Sequence, residues 1–238
     1  MPPTWLTILA WISIAAGFLS AAVVLYDIYG NGLRQPMRVM EAVWPITALY
    51  LGPLGLWLYA GLGRPRRSRW AQDAAKPSPR WHGIFISATH CGAGCALGDI
   101  IGEWLVFLTG VAIAGAVLWP EYIIDFALAY VFGILFQYLA IKPMSNLSAR
   151  VALSQAIRAD TLSVIAFEIG MFACMALVFF VFFPHPHLTP DHAAYWLTMQ
   201  IAMALGLATT YPVQIWLVSP GIKHAMHRPM LPAAAKPG

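Results

Sequence analysis

The sequence predicts an all-α, polytopic membrane helix bundle of about six transmembrane helices with both termini cytoplasmic. Three observations carry that reading. Hydrophobic residues make up 60% of the 238 positions and charged residues 10%, against roughly 25% charged in ordinary soluble domains. Apolar runs recur at the length, roughly 20 residues, that a helix needs to cross hydrocarbon. Lys and Arg collect in alternate loops, as they do on the cytoplasmic side of membrane proteins.

Taken in order, the first span runs from about Thr4 to Tyr26. The start "MPPTWLTILAW" lacks a basic n-region and no small-residue cleavage site follows, so the segment reads as a retained span. The second covers about Val39 to Leu62 with a kink at Pro53. The third begins near Gly83 and ends before Trp119-Pro120. At helical rise that is about 50 Å, so it must tilt, break or begin at the interface. The fourth covers about Tyr122 to Ile141, closed by Lys142-Pro143. Ser148 to Arg158, with Arg150 and Arg158 among Val151, Leu153 and Ile157, suggests a short interfacial helix. The fifth runs from about Thr161 to Phe183 and the sixth from about Ala194 to Val218, kinked near Pro212.

Four regions follow: a two-helix N-terminal hairpin (1–63), a basic cytoplasmic loop (64–82), a four-helix membrane domain (83–223) and a cytoplasmic tail (224–238). The net charge of +4 does not point to nucleic acid. Arg64, Arg66, Arg67, Arg69, Lys76 and Arg80 fall in one loop between apolar runs, which fits a membrane-flanking loop. With six spans, twelve Lys and Arg fall on the side of the termini and two, Arg34 and Arg38, on the other. The lipid bilayer is the expected partner; a second copy of the chain is left open. The third and fifth spans, each with a carboxylate (Glu103, Glu168) and an aromatic-Pro end, hint at a helical-hairpin repeat.

The chemistry concentrates in "HCGAGCALGDIIGEW", His90 to Trp104. Cys91, Cys95, Asp99 and Glu103 recur every four residues. On a helix they form one slanting stripe roughly 18 Å long. Gly94, Gly98 and Gly102 recur at the same interval, each one position earlier, a small-xxx-small pattern that admits a close neighbouring helix. Carboxylates at membrane depth are costly and mark function. Thiolates and thioethers favour Cu(I), while imidazole and carboxylate admit Zn, Ni or Mn. The candidate metal ligands are therefore His90, Cys91, Cys95, Asp99, Glu103 and Glu168, with Asp160, Met171, Met199 and Met203 secondary. Plainer readings stand beside these: Cys174 as an inert core residue, the Met199–Met203 pair as packing, Asp160 as a helix cap, and His185, His187 and His192 as solvated loop residues.

No haem is expected, since only His90 lies within a span. No nucleotide is expected, since GxxxxGK[ST] is absent. HExxH and GxSxG are absent too.

The His90–Trp104 signature, of the form HCxxxCxxGDxxxE, resembles a bacterial integral-membrane family known only as a domain of unknown function. The resemblance is also carried by "FQYLAIKPM" (Phe136–Met144), "AIRADTLSVIAFEIGM" (Ala156–Met171) and "QIAMALGLATTYPVQIWLVSPGIK" (Gln200–Lys223). It covers about Trp81 to Met226. It implies a multi-pass protein of the bacterial cytoplasmic (inner) membrane and supplies no activity. From the residues, the first expectation is a metal-cation transporter or metal-binding protein with a transition-metal ion, copper favoured. A membrane oxidoreductase using the Cys91–Cys95 dithiol or a metal cofactor is the second, so whether the chain is an enzyme stays open. A structural or assembly subunit is the third.

Overall fold

A computed structural model describes residues 2–67, 79–112, 118–218 and 230–231. Seven α-helices are present among them: α1 (Thr4–Leu25), α2 (Met40–Leu51), α3 (Pro53–Leu58), α4 (Arg80–Thr109), α5 (Leu118–Met144), α6 (Ala149–Leu177) and α7 (Ala193–Val218). Turns of π-helix extend α1 through Tyr26–Gly30, α3 through Tyr59–Gly63 and α6 through Val178–Phe182. Two-residue strands, β1 (Arg66–Arg67) and β2 (Met230–Leu231), pair in parallel. Five helices (α1, α4, α5, α6 and α7 with their extensions) are long and apolar enough to cross a membrane. Their outer faces carry large exposed apolar side chains, such as Ile12, Phe18 and Leu19 on α1 and Ile169 and Leu177 on α6. Facing lipid, such side chains carry no hydration cost.

The segment 39–62 departs from its sequence-based assignment. Its length suggested a kinked span; it is instead a helical hairpin that turns back at Gly52. Gly52 adopts φ 58°, ψ −135°, a conformation open to glycine and strained for other residues. Pro53 then opens α3 at its first turn, where its missing N–H costs no helical bond. The two arms lie against each other. A Cβ on Gly55 would come within 2.7 Å of the Ala48 Cα, and the Trp44 and Tyr59 rings meet edge-on at 5.7 Å. Gly63 leaves room for the Trp44 indole.

The hairpin is anchored where α1 ends. Arg64 donates two hydrogen bonds of 2.8 Å to Asp27, and the Tyr59 hydroxyl donates a third of 2.9 Å. This carboxylate holds the Arg64 guanidinium above its ordinary pKa. Gln35 Nε2 donates to the Gly63 carbonyl at 3.2 Å, and Arg34 Nε to Glu41 at 2.8 Å. The tip reaches the middle of the bundle. The Leu49 carbonyl lies against Gly17, the midpoint of the Thr4–Gly30 span, and accepts a 3.1 Å bond from Gln200 Nε2.

Two further boundaries differ. α6 is continuous from Ala149, so the proposed interfacial stretch is its first part and Asp160 is a buried interior residue rather than a cap. The buried small residues Ala152, Ala156 and Ala159 sit on the inward face of that early part, which lets it run on as helix. α4 passes unbroken through its glycines and stops at Thr109, with Gly110 in the left-handed conformation.

The spanning helices alternate in direction. Tyr130 meets Thr161 and Tyr122 bonds to the Phe172 carbonyl, so α5 and α6 are antiparallel. Thr209 donates to the Ala166 carbonyl and Thr210 to Ser163, so α6 and α7 are antiparallel. α1 and α7 run parallel, joined by Ser13 to Gln200 at 2.6 Å.

Candidate functional site

The closest helix contact builds the site. A Cβ on Gly94 would come within 2.8 Å of the Gly133 Cα. Gly98 lies against the Ala129 backbone and Gly102 against the Asp125 carboxyl. The register is antiparallel at every fourth residue, 94 with 133, 98 with 129 and 102 with 125. The same register sets Gln137 opposite His90. The glycine stripe thus does what its spacing implies: it brings the α5 backbone onto α4.

The polar stripe beside it is buried along its length. Cys91, Cys95 and Asp99 are fully buried and Glu103 is 3% exposed. α6 contributes Glu168, which lies beside the Cys95 thiol and near Asp99. α5 contributes Asp125, within reach of Glu103, and α7 contributes the Tyr195 hydroxyl on the same carboxyl. None of these approaches is a well-formed hydrogen bond throughout. Among the described residues, both oxygens of Asp99, Asp125 and Glu168, one of Glu103, and the Tyr195 hydroxyl have no hydrogen-bond partner. Buried polar groups without partners are rare in native structures and call for a functional explanation.

The secondary candidates divide. Met171, Met199 and Met203 join Cys91 and Cys95 in one buried cluster, with Phe167, Tyr195 and Tyr50. His90 lies on the glycine face of α4 that meets α5, its ring 6.1 Å from Phe136, which belongs to a second cluster. Asp160 faces α5 at Gly133. Cys91, Cys95 and Cys174 form no disulfide among the described residues, and Cys174 is half-buried. His185, His187 and His192 lie between α6 and α7. His187 stacks on Phe179 at 3.6 Å, and His192 pairs with Asp191 at 3.1 Å. Asp191 is held below the ordinary carboxylate range, mainly by the hydrogen bond from Thr189. Among the described residues, no three His, Cys, Asp or Glu are grouped so as to hold a metal ion.

Three contributors escaped the sequence reading. Asp125 was legible in principle: Asp125, Ala129, Gly133 and Gln137 form a four-residue repeat that mirrors the glycine stripe. Tyr195 carries no comparable signal. Tyr50 comes from the hairpin tip, and its hydroxyl lies 3.3 Å from the position a Gly92 Cβ would take.

No curated protein and no solved structure matches the chain. Residues 80–223, the four helices α4 to α7, match the family model described as Domain of unknown function (DUF4396). That match covers more than half of the chain and coincides with the helices bearing the acid and thiol stripe, so the chain belongs to that family.

Proposed function

We propose that the chain is a membrane transporter or binder of a metal cation, with Cu(I) the favoured ion and Zn, Ni or Mn next. The observation that carries this reading is the set of unpartnered carboxyls. Asp99, Glu103, Asp125 and Glu168 are buried together at membrane depth beside two thiols. No Lys or Arg occurs in 81–141 or 159–222 to balance them. Carboxyls in that setting require protons or a cation. Cys91 and Cys95, one turn apart, offer a soft ion two sulfur donors without a third protein ligand. The acids toward Glu103 offer a harder stretch of the same path. His90, turned toward Phe136 on α5, is the weakest of the six ligand candidates.

The orientation is part of the reading. If the α2–α3 hairpin re-enters without crossing, residues 31–39 join 64–80, 142–158 and 219–238 on one side. All fourteen Lys and Arg then fall on that side. Arg34 and Arg38, the two exceptions to a six-span count, cease to be exceptions. By the positive-inside rule that side is cytoplasmic, and the two termini lie on opposite sides.

The test is uptake into proteoliposomes of Cu(I), with Zn, Ni and Mn in parallel. The wild-type chain accumulates copper, and the Cys91→Ser, Cys95→Ser double variant does not. Equal uptake by both would refute the reading. The dithiol alternative is read from the same samples: a Cys91–Cys95 disulfide formed on adding a quinone would favour redox chemistry.

A further inference from the structure

The hairpin and the thiols meet at one point. Tyr50, at the tip of α2, is 5% exposed, and its hydroxyl lies near the Thr47 hydroxyl without a well-formed hydrogen bond among the described residues. That hydroxyl lies against Gly92 and close to both Cys91 and Cys95. Gly92 has no side chain to displace it. Cys91 is the twelfth of thirty residues in α4, so the thiols lie near mid-helix. The hairpin fills the half of the bundle between them and the end carrying Arg34, Arg38 and Arg64.

The two ends of the hairpin are held differently. Its base is fixed by Asp27, Arg64, Tyr59, Arg34, Glu41 and Gln35. At the tip, the side-chain tether among the described residues is Gln200. Its Nε2 donates to the Leu49 carbonyl at 3.1 Å while its Oε1 accepts from Ser13 at 2.6 Å. The break at Gly52 strips the last carbonyls of α2 of helical partners, and Gln200 satisfies one of them. A helix broken at membrane depth is tolerated where neighbouring protein or a cavity satisfies its freed groups.

We propose that the α2–α3 tip is the gate over the cysteine end of the path. In this arrangement Gln200 is its latch and the Tyr50 O–H is a hydrogen-bond donor to the Cys91 and Cys95 thiolates when a soft cation is seated on them. The gate is read without any metal; the donor role rests on the cation reading above. Tyr50 and Gly52 lie outside the family-matched region, so the gate is an addition to the four-helix domain.

The test is site-resolved labelling with a maleimide in lipid nanodiscs, read by mass spectrometry, with Cys174 as internal control. In the wild-type chain Cys91 and Cys95 react slowly and Cys174 faster. Gln200→Ala raises labelling of Cys91 and Cys95 by about tenfold, the effect of one lost hydrogen bond of ~1.4 kcal/mol, and leaves Cys174 unchanged. Ser13→Ala, which only loosens the latch, gives a smaller rise in the same direction. Unchanged labelling in both variants overturns the gate, as does a rise shared with Cys174, which reports general loosening.

Silver(I) then serves as a soft monovalent probe. It protects the wild-type thiols from the maleimide, and Tyr50→Phe raises the silver needed by about tenfold. Equal protection in Tyr50→Phe overturns the donor role. Silver that fails to protect even the wild-type thiols refutes the cation reading and the donor role together, while the labelling arm still decides the gate.

Discussion

At the residue scale the site depends on what glycine leaves out. Gly98 and Gly102 face the Ala129 backbone and the Asp125 carboxyl so closely that a Cβ has no room. Backbone cannot step aside as a flexible side chain can. Gly98→Val should therefore destabilise the protein by about 1–3 kcal/mol, the usual cost of overpacking. That corresponds to a fall of several degrees in Tm, measured by thermal unfolding in detergent; an unchanged Tm would contradict the register. Gly52 matters for a different reason, its positive φ. Gly52→Ala should cost about 1–3 kcal/mol and also speed maleimide labelling of Cys91 and Cys95, because it strains the tip. The glycine stripe was visible in the sequence because a period of four is a helical signature. Asp125 could have been found from the same period on α5, but an acid in an apolar run draws notice only once its partner helix is known.

At the scale of elements, the five long helices were legible because length and apolarity alone define them. The hairpin was not. Residues 39–62 are long enough and apolar enough for a span, and hydropathy cannot tell a kink from a reversal. The deciding feature is local: Gly52 followed by Pro53, one supplying a positive φ and the other starting a new helix. The continuity of α6 through Asp160 was hidden similarly, because Arg150 and Arg158 resemble the edge of a membrane. The hairpin carries a topological prediction. Reporter fusions should place the N-terminus and the C-terminus on opposite sides of the membrane, with the C-terminus cytoplasmic. Both termini cytoplasmic would mean that 39–62 crosses.

At the scale of the whole molecule, the arrangement is a charge problem solved by neighbours. Three helices, α4, α5 and α6, bring Asp99, Glu103, Asp125 and Glu168 into one buried region, and α7 and the hairpin tip add Tyr195 and Tyr50. The stretches 81–141 and 159–222 that surround it contain no Lys or Arg. The ion identity was not legible, since soft and hard donors sit on one stripe and the Met residues that share the thiol cluster pack like any other core side chains. The measurement that bears most directly on the central claim is elemental analysis of the full-length protein purified without chelator, beside the Cys91→Ser, Cys95→Ser double variant. The account predicts copper at a fixed molar ratio in the wild-type protein and its loss from the variant. The same metal content in both, or none in either after exposure to Cu(I), would contradict it.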